Sequence, residues 1–202
     1  MKSYPAIALI EFNNISTGII AADAMIKKAP IAMLKAGTVS RGNYLVLIGG
    51  TVASVEESFK QGLNIGGEIV IDKVFLPGVH QQVMDAILGK KRKVQFEALG
   101  VIETASVAAT IEVSDAAIKG TVINIVEMRL ADSLGGKGFV LINGKVEDVE
   151  TAVNIALNAI SNKALWRNSI VITAIHFELA QEIEGSTRFS VAKFRKLPGG
   201  EY

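Results

Sequence analysis

Apolar residues along this chain arrive in short runs, each cut off by polar or glycine-rich residues. Ala6-Ile7-Ala8-Leu9-Ile10 is followed at once by Glu11, and a run of this length suits a buried strand. Ser16 or Thr17 then stands where a helix cap is needed, and Ile19, Ile20, Ala24 and Ile26 give the next segment one apolar face. Lys27 at its end favours the helix dipole. Ile31 to Lys35 predicts a second strand, Ala36 to Gly42 a loop, and Tyr44 to Ile48 a third strand closed by Gly49-Gly50. Val52 to Gln61 predicts a second helix, and Glu68 to Leu76 a fourth strand that stops before Pro77.

The same pattern then starts again. Ala6 to Glu11 aligns with Ala98 to Glu103 at an offset of 92 residues, which also carries Asp23-Ala24-Met25-Ile26-Lys27 onto Asp115-Ala116-Ala117-Ile118-Lys119. Gly42 to Gln61 aligns with Gly136 to Ile155, with 8 of 20 pairs identical and the offset grown to 94. The growth falls after Lys35, in a loop. The second copy therefore predicts strands at Ala98–Glu103, Ile123–Arg129, Phe139–Ile142 and Ser169–Ala174, and helices at Ser106–Lys119 and Val146–Ala159. A tandem duplication changes the whole fold expectation. The order β-α-β-β-α-β predicts an antiparallel sheet with both helices on one face, so the fold class is α+β with two tandem ferredoxin-like units. The units span residues 1–94 and 95–184, with a tail at 185–202.

Composition narrows the chemistry. Among 202 residues there is no Cys, which excludes disulfides, thiol nucleophiles, Cys-ligated zinc and a cluster held by this chain's own thiolates. Two distant histidines make a His-rich metal site within one chain improbable. With 21 Lys+Arg against 20 Asp+Glu, nothing points to nucleic acid or an acidic membrane surface as partner. The longest stretch without a charge, Gly42 to Val55, is too short to cross a bilayer. Met1-Lys2-Ser3-Tyr4-Pro5 leads directly into the first strand, so no export signal is expected and a cytoplasmic location is.

Ile10-Glu11 and Ile102-Glu103-Thr104, the two Asp-Ala-x-Ile-Lys segments, and Gly136-Lys137-Gly138-Phe139-Val140-Leu141-Ile142-Asn143-Gly144-Lys145-Val146 with Val149 and Glu150 together carry a resemblance. The chain resembles the tandem bacterial microcompartment (BMC) shell proteins, over roughly residues 5 to 180 and in both repeats. Because each unit begins at the Ile-Glu strand, it is similar to the non-permuted trimeric type, such as the propanediol-utilization tandem shell proteins. The resemblance implies a homotrimer forming a flat pseudohexagonal tile with a central pore. It also implies partners: other shell proteins at the tile edges, encapsulated enzymes, and small metabolites crossing the pore. It implies a structural protein, not an enzyme, with no cofactor.

By the same resemblance the loops between the second and third strands line the pore. In the first unit these are Gly37, Thr38, Val39, Ser40, Arg41 and Gly42; in the second, Ala131, Asp132, Ser133, Leu134 and Gly135. Three copies of Ser40 would present hydroxyls and backbone N–H groups to a small polar solute, and an inward Arg41 would favour anions. The alternative is that these are ordinary turn residues. Some relatives carry a cysteine where Ser40 stands, and three such thiolates hold an iron–sulfur cluster; this chain departs from that pattern. Lys27 and Lys119 match the family's tile-edge lysine, against the alternative of solvated lysines at helix ends. The family's edge arginine, in a Pro-Arg-Pro-His segment, is absent, the matching stretches being Pro77-Gly78-Val79-His80 and Thr173-Ala174-Ile175-His176.

Other candidates read as structural. His80 and His176 each stand alone in their unit and suit a strand end or helix start. Glu11 and Glu103 have no third polar group near them in sequence, and their strands match core features of the family, so structural roles are expected. Lys90-Lys91-Arg92-Lys93 reads as a solvated linker between repeats, and Phe189-Ser190-Val191 as a short added strand or a disordered end. The competing functions are a metal or electron conduit in the pore, disfavoured by the missing cysteine, and a small-molecule-binding or catalytic ferredoxin-like protein. An enzyme should show converging His, Asp, Glu or Ser, and none is found.

Overall fold

Ala6–Phe12 forms the first strand, β1, and all seven of its residues are buried. An alternating strand would leave one face wet, but here each face meets a different partner. Ala6, Ala8, Ile10 and Phe12 pack in one cluster with Met25 and Val55. Ile7 and Leu9 belong to a second cluster that continues into the C-terminal half of the chain. The computed structural model describes residues 5–95, 97–192, 194 and 197. After β1 come α1 (Ile15–Lys28), β2 (Met33–Val39), β3 (Asn43–Gly50), α2 (Val52–Gly66), β4 (Val70–Leu76) and α3 (Gln81–Ile87). The second half runs β5 (Ala98–Thr104), α4 (Val107–Gly120), β6 (Asn124–Leu130), β7 (Gly138–Gly144), α5 (Val146–Ala159), β8 (Trp166–Ile172) and α6 (Phe177–Gly185).

Both sheets have four antiparallel strands, ordered β2-β3-β1-β4 and β6-β7-β5-β8. This is the ferredoxin-like arrangement twice over, as the repeat predicts. Several boundaries differ from the sequence reading. The second strand begins at Met33, not Ile31, and runs on to Val39, because the β2–β3 ladder pairs Thr38 with Tyr44 and Val39 with Asn43. Gly37 and Thr38 are therefore strand residues; the hairpin's backbone bonds override their loop-like composition. The helix after β3 does not stop at Gln61. It continues through Gly62 and Gly66, where the missing side chains admit Met25 and Ile10 at one position and Phe12 at the other. β4 begins at Val70, since Gly67–Ile69 form a 3-10 turn. β8 ends at Ile172, two residues before the expected Ala174.

α3 and α6 are additions to the β-α-β-β-α-β order. His80 and His176 are their N-caps, each Nδ1 accepting the backbone N–H two residues on, from Gln82 at 3.2 Å and Glu178 at 3.3 Å. The expected helix-start role for the histidines holds. α1 is capped by Asn14, which accepts from Thr17 N–H at 2.9 Å, and not by Ser16 or Thr17. The competition is between residues with equal capping chemistry, and the chain enters the helix before it reaches either hydroxyl.

The basic junction is exposed at Lys90, Lys91 and Lys93, as expected of a solvated linker, but it is tied down by ion pairs and backbone bonds. Lys90 and Arg92 pair with Asp85 at 2.8 and 3.1 Å, and Lys91 with Glu127 at 2.9 Å. The Lys90 ammonium beside Asp85 holds that carboxyl below the ordinary range. Arg92 N–H donates to Val126 C=O at 2.9 Å, Val94 is buried, and Asn143 Nδ2 donates to the carbonyls of Gln95 and Ala98 at 2.9 and 3.0 Å. Phe189–Val191 is a 3-10 turn and not the short added strand that was one of its two readings, because Val191 and Ala192 donate back to Arg188 C=O. Pro198-Gly199-Gly200 at the end of the tail and Met1–Tyr4 at the start lie outside the described residues.

Gly100 shows how tightly the second unit is closed. A Cβ there would stand 2.7 Å from both Ile142 Cγ1 and Val149 Cγ1. Gly100→Val is expected to cost about 1–3 kcal/mol through overpacking between sheet and α5. Urea unfolding of the two proteins checks this, and an unchanged midpoint would show that α5 can yield.

Candidate functional site

Among the described residues, three other than glycine have positive φ, Arg41 at 75°, Ala131 at 56° and Ser133 at 63°. All three fall in the two loops singled out from the sequence. The first loop is only Ser40–Gly42 between β2 and β3, whereas the second runs over residues 131–137 between β6 and β7. The second loop is longer, as the growing offset implies, but by four residues and not two, because β6 ends and β7 begins at different places relative to their counterparts in the first unit. Gly42, Gly135 and Gly136 are also left-handed, at 76°, 61° and 80°. Backbone strain of this kind persists only where surrounding structure holds it.

The loops hold each other. Ser133 N–H donates to Ser40 Oγ at 3.1 Å across the boundary between the repeats. Arg41, Gly42, Asp132, Ser133 and Gly135 are exposed, and Leu134 is half-buried. Thr38 lies in the β2–β3 ladder, and Val39 packs against the core shared by the two units. An iron–sulfur cluster needs thiolate donors, and at this position the chain offers a hydroxyl already accepting a hydrogen bond. The residues present do not fit such a group.

Beside the loops lies the contact between the units, centred on Glu11. This side chain is 2% exposed, and its Oε1 accepts the Ala108 N–H at the start of α4 at 2.6 Å. Burial first, and then Asp72 nearby, push its carboxyl up to about 8, against the lowering pull of the Ala108 and Val107 N–H groups. Asp72 lies opposite Glu11 in the sheet and accepts a hydrogen bond from the Ser106 hydroxyl, the N-cap of α4. Farther along, Gln82 on α3 clips onto β6, accepting from Ile125 N–H at 2.9 Å and donating to Asn124 Oδ1 at 3.0 Å. Asp72 and Gln82 were not legible as interface residues, since each is a lone polar residue with no motif around it.

Lys27 and Lys119, the two lysines expected at tile edges, are each paired with an aspartate one turn earlier. Lys27 bonds Asp23 at 2.6 Å, with both side chains mostly exposed. Lys119 pairs with Asp115, which is buried and also accepts the His80 N–H at 2.8 Å. Glu103, the repeat counterpart of Glu11, is exposed. Among the described residues no group of His, Asp and Glu is arranged to hold a metal ion. No described helix is long and apolar enough to cross a membrane.

Comparison with known proteins agrees with this architecture. The profile of the BMC domain matches residues 6–79 and again 98–175. The chain is 34% identical over 181 residues to the bacterial microcompartment shell protein PduT of Citrobacter freundii, covering 89% of this chain and 98% of that protein. It superposes on the crystal structure of a microcompartments protein from Desulfitobacterium hafniense DCB with a TM-score of 0.77 and 38% identity, covering 89% of this chain and 99% of the other. A fused permuted hexameric shell protein from the RMM microcompartment shares the fold at a TM-score of 0.58 and 21% identity, over 80% of this chain and 86% of the other. With one BMC domain in each half and relatives matched nearly end to end, the chain belongs to the tandem BMC-domain shell proteins.

Proposed function

We propose that three copies of this shell protein close into a pseudohexagonal tile whose central pore is lined by the two strained loops. One asymmetry carries this. α1 and α4 are repeat counterparts, yet Ile15 and Ile19 on α1 are 40% and 52% exposed while Val107 and Ile111 on α4 are fully buried. At the other end of the chain the imbalance runs the opposite way. Ile170 on β8 and Leu179 on α6 are each 48% exposed, where their counterparts Val74 and Val83 are 6% and 0%. The first unit covers α4, and among the described residues nothing covers the Ile15 and Ile19 face of α1. Each chain thus has two open apolar ends, complementary halves of a contact it already makes once internally. Head-to-tail repetition of that contact gives a ring if the rotation closes.

In the tile, Ser40, Arg41 and Gly42 from one unit alternate with Asp132, Ser133, Leu134 and Gly135 from the other around the axis, with Thr38 and Val39 behind them. The exposed Ser133 hydroxyl and Arg41 favour small polar or anionic solutes. Lys27 and Lys119 stand at the tile edges, where other shell proteins dock. The role is architectural and not catalytic, inside a microcompartment of the cytoplasm. Sedimentation equilibrium with negative-stain microscopy tests it: three chain masses and hexagonal particles are expected, and a monomer at micromolar concentration would overturn it.

A further inference from the structure

The buried Glu11 contact inside the chain has an unfilled copy at its open end. The Glu11 carboxyl accepts Ala108 N–H at the start of α4, and Asp72 beside it accepts the Ser106 hydroxyl. The sheet register repeats this arrangement. Glu103 is paired with Asn168 as Glu11 is with Asp72. Each sheet also has the same register shift immediately after the glutamate, between Glu11 and Phe12 and between Glu103 and Thr104. A bulge re-aims the side chain beside it, so the backbone presents both glutamates in one way.

What Glu11 meets also has its copy. Asn14 caps α1 as Ser106 caps α4, each accepting the N–H three residues on. Ser16, the counterpart of Ala108, is exposed, whereas Ala108 is fully buried. Around this polar centre Ile15 and Ile19 form an open apolar face, as Val107 and Ile111 form the covered one.

We infer that the carboxyl group of Glu103 accepts the Ser16 N–H at the start of α1 in a second copy of this chain, with Asn168 meeting the Asn14 amide beside it. This rests on the trimeric reading and names its polar centre. The contact differs from the internal one in a useful way. Asn168 replaces Asp72, so Glu103 gains no second carboxylate beside it, and the interface between copies carries less like-charge repulsion than the interface within one. Glu103 is thereby a pairing residue for assembly, with its partner on another chain.

The absence of cysteine makes the test clean. The double variant Ser16→Cys with Asn168→Cys leaves the Glu103 carboxyl in place; it is treated with a short bismaleimide, and the linked peptides are identified by mass spectrometry. A ladder ending at three chains, joined between positions 16 and 168, is expected. Glu103→Lys puts an ammonium in place of the acceptor and is expected to weaken association about tenfold or more at each interface. Glu103→Gln keeps an acceptor and is expected to assemble nearly as the parent does. Circular dichroism should show all variants folded, because Glu103 is exposed within one chain. A trimer by sedimentation that neither links 16 to 168 nor responds to Glu103→Lys overturns the inference alone. A parent protein that is monomeric overturns the trimeric reading itself.

Discussion

Ile111→Asp is expected to unfold the chain, while Ile19→Asp, at the same place in the other repeat, is expected to leave it folded and unable to assemble. Both residues sit on the first helix of a unit, five positions beyond the capping residue. Ile111 is fully buried in the cluster that joins the two units. An aspartate there removes a large apolar side chain and puts an unpartnered carboxyl among apolar neighbours, a loss of about 3 kcal/mol or more. That is a large share of the stability of an ordinary domain. Ile19 is 52% exposed in the single chain, so the same change there costs only the small difference in helix propensity. In a closed ring three such aspartates would be driven into three apolar contacts. Circular dichroism with urea reads the first effect and sedimentation velocity the second. A trimer that survives Ile19→Asp would show that α1 is not the face used.

Glu11 sets the second large effect. Its carboxyl titrates near 4.5 when the chain is unfolded and at about 8 when folded, chiefly through burial. Below pH 4.5 both states hold the proton, and the folded state keeps its full contribution from this group. Between 4.5 and 8 the unfolded chain releases the proton while the folded one retains it, so stability falls as pH rises, by up to about 1.4 kcal/mol per pH unit. Above 8 the loss is complete. Glu11→Gln cannot titrate and keeps an oxygen for the Ala108 N–H. Urea unfolding at pH 5, 6.5 and 8 is expected to show the variant gaining on the parent at each step upward. Parallel pH profiles would mean that Glu11 is an ordinary ionised carboxylate satisfied by the start of α4.

The duplication, the two ferredoxin-like units and the family all follow from local order: apolar runs at β1 and β5, Asp-Ala-x-Ile-Lys on the first helix of each unit, and the glycine-rich third strands. These signals survive in one dimension because strand and helix periodicities are properties of neighbouring residues. The two loops were legible too, through glycines and a two-residue difference in offset between repeats. Their backbone strain was not, nor was the bond from Ser133 N–H to Ser40 Oγ, which joins residues 93 positions apart.

Capping and ending were harder. Asn14 and Ser16 have the same chemistry and only the path of the chain chooses between them. Gly62 and Gly66 look like a helix end and are in fact places where Met25, Ile10 and Phe12 need room. The basic strap at residues 90–93 looked solvated because its partners Asp85 and Glu127 lie on other elements.

The sequence by itself determined that this protein is one unit written twice. Only the tertiary structure decided that the two copies are not equivalent. Ile19 and Ile111, or Glu103 and Glu11, are identical in type and place within their repeats. One of each pair is buried and the other open, because the first unit and the start of α4 cover each other, whereas no described residue of the chain covers the Ile19 face of α1 or Glu103. Burial depends on what arrives from a distance, and in a tandem chain only the inner contact can be made without a second molecule.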